Sequence, residues 1–322
     1  MKFRTEIQIP SLTPPLDYKE TFLLLGSCFS EAIGQRMQRL LFDCRVNPFG
    51  ILFNPQSVLQ ALERMAAGRL FEAGELQVNE EEGYCFSWQH HGRFAAPTPD
   101  EALRMINEEY RLGVRAFRKC RTLLLTWGTS FVYIHKSRGE VVANCHKFPA
   151  ALFLRRRLTV GEIVESYAAF LESWFAADES GERRVVLTVS PVRHLRDGLH
   201  ENQLSKGILL LAVEELQHAF PGRVLYFPAY ELLLDDLRDY RFYASDLLHP
   251  SEQAEEYVFE RFCEAGFSAE TRKAMQDVAE WVRMKEHKPL HPFAKSLAAF
   301  EQKVQEKKKK LLVQYPFLSE RL

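Results

Sequence analysis

Two distant segments of the chain combine residue types that nucleophilic catalysis uses. The first is Gly26-Ser27-Cys28, in which a glycine is followed by a hydroxyl and a thiol. The second is Asp246-x-x-His249. A carboxylate three residues before an imidazole orients the ring through one nitrogen, and the other nitrogen then faces a nucleophile. Together the two segments predict acyl chemistry at a thiol or a hydroxyl.

The glycine turn predicts an activated thiol at Cys28. A glycine between a strand and a helix permits a tight turn, and the residue just beyond it lies at the helix N-terminus, where unpaired N–H groups favour an anion. A thiol in that place is easily ionised, and a neighbouring imidazolium promotes this further. The alternative is that Ser27 caps the helix and Cys28 is a small core residue.

The elements that position these residues follow from hydrophobic periodicity. Short apolar runs alternate with longer amphipathic ones, which is typical of βαβ units around a largely parallel sheet. The predicted buried strands are 21–25, 122–126, 184–190 and 223–227. A hairpin is predicted at 131–135 and 140–143, and residues 68–98 are predicted to be irregular. Beyond residue 251 the chain is predicted to be helical, with helices at 269–284 and 292–312.

Reactive loops of open α/β sheets follow the carboxyl ends of strands, so the polar residues there are further candidates. Asn144 and His146 either line the site or complete a strand-end turn. Arg193, beside His194, either binds a carboxylate or phosphate bidentately or pairs with an acidic neighbour. A third group starts a helix, where caps and first-turn polar residues are expected; it consists of Glu201, Asn202, Ser205 and Lys206.

Composition excludes several classes of protein. A net charge of −1 gives no field for steering nucleic acid or an anionic membrane. The first 15 residues lack the apolar core of a signal peptide, and no stretch reaches the ~18 apolar residues that span a bilayer. The sequence therefore predicts a cytoplasmic protein. Six single cysteines without a C-x-x-C pair argue against a disulfide scaffold and a zinc ribbon.

The motifs carry a family resemblance. Gly26-Ser-Cys-Phe-Ser30 resembles the motif that names the GSCFA family. Further segments that resemble this family are 47–50 with 54–55, 141–147, 188–194 and 240–250. The resemblance covers the chain to about residue 265. We therefore predict a catalytic domain over 1–265 and a C-terminal helical extension over 266–322.

The GSCFA family is similar in turn to the SGNH, or GDSL-like, hydrolases. This resemblance implies a three-layer α/β/α sandwich with a mostly parallel, flavodoxin-like sheet. It also implies a Gly-Asp-Ser turn as nucleophile and a later Asp-x-x-His as orienter and base. Matching Gly26 to that glycine puts Ser27 in the aspartate position and Cys28 in the serine position. Thiolate attack by Cys28 is favoured; hydroxyl attack by Ser27, with the turn shifted by one residue, is the alternative.

The same resemblance implies two oxyanion donors, a glycine after the second strand and an asparagine in a Gly-x-Asn turn. Gly50 matches the glycine. The matching turn here is Gly128-Thr129-Ser130, which lacks the asparagine, so Ser130 or Asn144 is expected to replace it. Losing one such donor typically costs about 10²–10³ in turnover, so some group should fill the gap.

The leading hypothesis is hydrolysis or transfer of an ester or thioester acyl group by Cys28 or Ser27, with His249 as base and Asp246 as orienter. The substrate is a small molecule or an acylated saccharide, and no cofactor or metal is required. A second hypothesis is a metal site built from Cys28, Cys145, His146 and His249. A third is a non-catalytic scaffold that binds a saccharide or a coenzyme A-like ligand.

Overall fold

The computed structural model describes residues 4–287 and 296–322. Its strands are β1 (Thr21–Gly26), β2 (Asp43–Val46), β3 (Gln77–Asn79), β4 (Tyr84–Phe86), β5 (Thr122–Trp127), β6 (Phe131–His135), β7 (Glu140–Val142), β8 (Phe153–Arg157), β9 (Arg184–Val189) and β10 (Val224–Tyr226). Its helices are α1 (Cys28–Arg39), α2 (Pro55–Ala67), α3 (Pro99–Lys119), α4 (Val160–Ala176), α5 (Gly198–Ala219), α6 (Ala229–Glu231), α7 (Glu252–Gly266), α8 (Ala269–Glu286) and α9 (Ser296–Gln314).

A five-stranded sheet forms the centre of the fold. Its spatial order is β2-β1-β5-β9-β10, and every neighbouring pair is parallel. Counted along the chain, these five strands follow the order 2-1-3-4-5, which is the flavodoxin-like arrangement. Strands β5 and β9 are buried along their whole length, as a parallel sheet covered on both faces requires. The predicted α/β class with a mostly parallel sheet is confirmed.

Helices cover both faces of this sheet. On one face, Leu23 and Leu25 of β1 belong to a core shared with α2, α3, α4 and α5. On the other, Phe22 and Leu24 belong to a core shared with α1, α7, α8 and α9. Trp281 of α8 and Leu311 of α9 lie in this second core, so these two helices of the predicted extension pack onto the layer that contains α1. The first residues of the helix predicted at 292–312, 292–295, lie outside the described residues.

Several strands were not predicted. Strand β2 is a four-residue edge strand, and its Asp43 and Arg45 interrupt any apolar run. Strands β3 and β4 form a small antiparallel pair within 68–98, so the prediction of irregular structure there is wrong for these residues. Strand β8 joins the predicted hairpin in an antiparallel sheet of order β7-β6-β8. No helix in the described part of the chain is long and apolar enough to cross a membrane.

The turn at the end of β1 requires a glycine. Gly26 has φ +143°, and a Cβ placed on it would lie 2.1 Å from the carbonyl oxygen of Thr126 in β5. Its N–H donates to Asn47 Oδ1 at 2.9 Å, and its carbonyl accepts from the N–H of Leu52 at 2.9 Å. The backbones of β1 and β5 therefore meet at the carboxyl edge of the sheet in a contact that excludes any side chain.

We predict that Gly26→Ala lowers the free energy of unfolding by about 2 kcal/mol or more, because the new Cβ collides with backbone and the positive φ is strained. The matched control is Gly161→Ala in α4, where nothing lies within 4 Å of the added Cβ. The control should leave stability unchanged or raise it, because alanine favours a helix. Urea denaturation followed by circular dichroism measures both, and equal stabilities would contradict this description of the turn.

Candidate functional site

Four of the segments singled out from the sequence meet at the carboxyl edge of the central sheet. The N–H of Ser27 donates to the carbonyl of Thr126 at the end of β5. The N–H of Ser190, just after β9, donates to the carbonyl of Trp127 at 2.8 Å. The loop that carries Asp246 and His249 is tied to the same edge through Arg193, which follows β9. This edge is where open α/β sheets bind ligands.

Asp246 and His249 form a hydrogen-bonded pair. Asp246 Oδ2 lies 2.6 Å from His249 Nδ1, while Asp246 Oδ1 accepts the N–H groups of Leu248 and His249 at 2.9 and 3.0 Å. These two backbone donors, followed by the imidazole, lower the pKa of Asp246 to about 2. In the part of the chain described, His249 Nε2 has no hydrogen-bond partner. The pair thus has the arrangement of an oriented base, with one ring nitrogen held and the other available.

Arg193 holds the loop that contains Asp246 and His249. Its N–H donates to the carbonyl of Leu248 at 3.2 Å, and Nη2 donates to the carbonyl of Leu247 at 2.7 Å. Its guanidinium also lies over the rings of Tyr243 and Tyr240, 4.1 and 5.2 Å from their centroids. Arg193 was predicted to bind an anion or to pair with an acid. Its observed contacts are with carbonyls and aromatic rings, which hold the loop of Asp246 and His249.

The turn after β1 places the two candidate nucleophiles, Ser27 and Cys28, in different surroundings. Ser27 is only 2 % exposed, and its Oγ has no hydrogen-bond partner among the described residues. Its Cβ faces Gly128, where an added Cβ would lie 3.5 Å away. Ser27 stands at the N-cap of α1, but its side chain makes no capping hydrogen bond. Cys28 is the first residue of α1 and is partly exposed.

The expectation that Cys28 ionises easily is wrong. Burial raises the pKa of its thiol, and this effect exceeds the lowering by the backbone N–H groups of Phe29 and of Cys28 itself. Two charged groups act with smaller weight: the Glu255 carboxylate raises the pKa of Cys28, and the Lys206 ammonium lowers it. At neutral pH the group is therefore a thiol, and a base must remove its proton before it attacks an electrophile.

Glu255 of α7 forms an ion pair with Arg36 of α1, with its Oε2 3.2 Å from Nη1. Burial raises the pKa of Glu255, while the Arg36 charge and, more weakly, the His249 charge lower it. Within the described residues no hydrogen bond joins His249 to Cys28 or Ser27. Contacts of this kind are often long without substrate and tighten when it binds.

Two of the predicted oxyanion donors already make hydrogen bonds to backbone carbonyls. The N–H of Gly50 donates to the carbonyl of Asn47 at 2.8 Å, and the N–H of Gly128 donates to the carbonyl of Phe53 at 2.8 Å. The first bond closes a turn after β2, and the second joins the end of β5 to the segment before α2. The backbone N–H groups of these two glycines are therefore not free to bind an oxyanion in this arrangement.

Ser130 is engaged in the same way, since its N–H donates to Ser205 Oγ at 2.8 Å and its Oγ lies 3.1 Å from the same atom. Other donors at this edge are the first N–H groups of α1. The N–H groups of Cys28 and Phe29 precede the first intrahelical hydrogen bonds, and both lower the pKa of the Cys28 thiol. They are the donors that an oxyanion next to this sulfur would meet.

Asn144 and His146 are not among the residues that meet at the carboxyl edge of the sheet. Asn144 Oδ1 accepts the N–H of His146 at 2.7 Å, which forms the turn after β7. His146 is buried, its Nε2 is 3.0 Å from the carbonyl of Ser87, and its ring lies 4.2 Å from that of Phe86. Burial lowers the pKa of His146 to about 4. These contacts match the strand-end turn that was the alternative to substrate contact.

The metal hypothesis is wrong for the described residues, which include its four proposed ligands: Cys28, Cys145, His146 and His249. No three His, Cys, Asp or Glu side chains in this part of the chain lie close enough to hold a metal ion. The imidazole of His146 is held in an aromatic cluster, and that of His249 is bonded to Asp246.

Sequence reasoning named Lys206 only as one of a group of polar residues at a helix start, and its buried position was not predicted. Asn202, Ser205 and Lys206 are all 0 % exposed on one face of α5. Lys206 Nζ donates to the carbonyl of Gly128 at 2.6 Å and to that of Ser190 at 2.7 Å. Burial lowers the pKa of Lys206 to about 7. The spacing i, i+3, i+4 was the available signal, because it places all three on one side of a helix.

Comparison with known protein families gives a match. A model described as the GSCFA family matches residues 21–262, which run from β1 into α7 and include both Cys28 and His249. No curated protein matches the chain, and no solved structure matches it.

We predict that the carboxyl of Asp246 titrates near pH 2, below the ordinary aspartate value of about 3.9. Because the folded-state pKa is lowered, the hydrogen bonds of this carboxylate contribute fully above the ordinary value and are lost as the pH falls through about 2. Carboxyl ¹³C NMR measures the midpoint. In His249→Ala the midpoint should rise only part of the way, because the two backbone donors remain. A wild-type midpoint near 3.9 would show that the pair is not formed.

Proposed function

The chain belongs to the GSCFA family, and we propose that it is an acyl hydrolase or acyltransferase of SGNH-like architecture that acts on an ester or thioester through Cys28, His249 and Asp246. The observation that carries the proposal is the 2.6 Å hydrogen bond between Asp246 and His249 Nδ1. The loop that contains this pair is held at the edge of the sheet where Cys28 follows the end of β1. The flavodoxin-like strand order supports the architecture.

Cys28 is the nucleophile in this proposal. Two observations support it over Ser27: the serine side chain is buried, with its Cβ beside Gly128, and the thiol is partly exposed at the start of α1. The raised pKa of Cys28 means that attack requires a base. His249 Nε2, which has no hydrogen-bond partner among the described residues, supplies one, and Asp246 stabilises the imidazolium that results.

In the first step the Cys28 sulfur attacks the acyl carbon while His249 Nε2 takes the thiol proton. The tetrahedral oxyanion lies near the N–H groups of Cys28 and Phe29, which are donors of the kind that stabilise such charge. The carbon–oxygen bond of an ester substrate then breaks, and the leaving alcohol takes the proton from His249. A thioester on Cys28 remains.

In the second step water attacks the thioester carbon and gives a proton to His249. The carbon–sulfur bond breaks, the carboxylic acid leaves, and the proton returns to Cys28. In acyl transfer, a hydroxyl of an acceptor such as a saccharide replaces water, and the product is a new ester. Both outcomes use the same three residues and require no cofactor.

We predict that Cys28→Ala and His249→Ala each lower kcat/KM for p-nitrophenyl acetate by about 10³-fold or more, because each removes a member of one catalytic unit. The matched control is Cys145→Ser, at another partly exposed free cysteine, which should leave kcat/KM unchanged. Assays of the purified variants at one pH, checked for folding by circular dichroism, measure this.

Two outcomes would contradict the assignment. If Ser27→Ala abolishes turnover and Cys28→Ala retains it, the hydroxyl is the nucleophile. If the wild type turns over no ester or thioester, while wild type and Cys28→Ala bind a saccharide or coenzyme A with equal affinity, the protein is a non-catalytic scaffold.

A further inference from the structure

Two consecutive peptide groups lie between Arg193 and Asp246. The carbonyl oxygens of Leu247 and Leu248 accept hydrogen bonds from Arg193, from its Nη2 at 2.7 Å and from its backbone N–H at 3.2 Å. The N–H groups of the same two peptide groups, those of Leu248 and His249, donate to Asp246 Oδ1 at 2.9 and 3.0 Å. Because the C=O and N–H of a trans peptide point in opposite directions, each of these peptide groups is held from both sides.

Leu247 has an unfavourable backbone conformation in this turn. Its φ is +58°, in the left-handed region where a Cβ crowds the following carbonyl oxygen. Its side chain is half-exposed, so packing of that side chain offsets little of the cost. Its N–H donates to the carbonyl of Ala244 at 2.9 Å, and its own carbonyl is the one that accepts Arg193 Nη2. These two hydrogen bonds therefore stabilise a turn that leucine alone disfavours.

The guanidinium of Arg193 is a charged donor with a fixed place. It lies over the rings of Tyr243 and Tyr240, and in the described part of the chain it pairs with no acidic side chain. A hydrogen bond from a charged donor is stronger than one from a neutral donor. Donation to a carbonyl also polarises the peptide group and strengthens the N–H on its other side. Arg193 therefore acts on Asp246 through the peptide group that it shares with it.

The hydrogen bonds of Asp246 decide which nitrogen of His249 is a base. Asp246 Oδ1 is occupied by the two backbone N–H groups, and Oδ2 lies 2.6 Å from His249 Nδ1. A carboxylate is only an acceptor, so the ring nitrogen that faces it carries the proton. The lone pair is then on Nε2. The tautomer with its proton on Nε2 has no lone pair there and is not a base at that atom.

We infer that Arg193 is a positioning residue for the Asp246–His249 pair. Through the carbonyl of Leu247 it holds the turn in which Asp246 faces Nδ1 and the lone pair of Nε2 is left for catalysis. Arg193 does not touch substrate in this scheme. The inference rests on the proposed function only in taking His249 as the base.

The test is ¹⁵N NMR of the His249 imidazole at about pH 9, where an ordinary histidine is neutral and its two nitrogens report which one carries the proton. Arg193→Met removes the side-chain donors and keeps the backbone N–H. We expect the proton mainly on Nδ1 in the wild type, and a ratio of Nδ1 to Nε2 tautomer about tenfold lower in Arg193→Met. With p-nitrophenyl acetate, kcat should fall with little change in KM.

Two further variants separate positioning from a general loss of stability. Adding Leu247→Gly to Arg193→Met should restore the Nδ1 tautomer, because glycine adopts the left-handed conformation at no steric cost. The matched control is Arg183→Met, at the amino end of β9. Arg183 also donates to a carbonyl, that of Trp174 at 2.7 Å, and lies 5.1 Å from the centroid of a ring of Trp174. Its replacement should leave the tautomer ratio and kcat unchanged.

An unchanged tautomer ratio in folded Arg193→Met would overturn the inference. So would a loss that Leu247→Gly does not reverse, or an equal loss in Arg183→Met, since either result assigns Arg193 only a general role in stability. If Arg193→Met does not fold, a folded double variant with the proton on Nδ1 supports the inference, and failure of both variants to fold overturns it.

The spectra require no substrate. A tautomer ratio that depends on Arg193, in a protein that turns over no ester, would refute the proposed function and leave the role of Arg193 intact. Turnover that requires His249, with a tautomer ratio indifferent to Arg193, would refute the positioning role alone.

Discussion

The site depends on a contact between two backbones. At the end of β1, Gly26 turns with φ +143° against the carbonyl of Thr126, where any Cβ would collide. The side chain of Asn47 accepts the Gly26 N–H and helps to hold this turn, whose direction decides where the next two side chains lie. Ser27 is directed into the sheet edge, and Cys28 becomes the first residue of α1. The place of the thiol is thus decided by main-chain packing rather than by contacts of the sulfur.

Much of the fold was predictable because parallel strands buried on both faces are mostly apolar. The runs at 122–126 and 184–190 have the composition of buried strands, and in the structure they form β5 and β9. Edge elements carry a weaker signal. Strand β2 is short and half polar. The alternation of buried and exposed residues in β8 results from its pairing with β6, which is distant in the chain. Neither strand could therefore be recognised from local sequence.

The candidate site was predictable where its residues are neighbours in sequence. Asp246 and His249 meet because only two loop residues separate them, and their bond needs no distant partner. The ionisation of Cys28 was predicted wrongly, because a helix terminus is visible in the sequence and burial is not. Lys206 was interpreted as a residue of a helix start, since its carbonyl partners come from strands that are distant in the chain.

The proposed mechanism requires that the thiol of Cys28 carries an acyl group during turnover. Mass spectrometry of the protein after brief reaction with p-nitrophenyl acetate and acid quenching detects that group. We predict one acetyl group on the peptide that contains Cys28, bound as a thioester that hydroxylamine at neutral pH removes, and little in His249→Ala. An acetyl group on Ser27, or no stoichiometric acetylation in a protein that hydrolyses the ester, would contradict the mechanism.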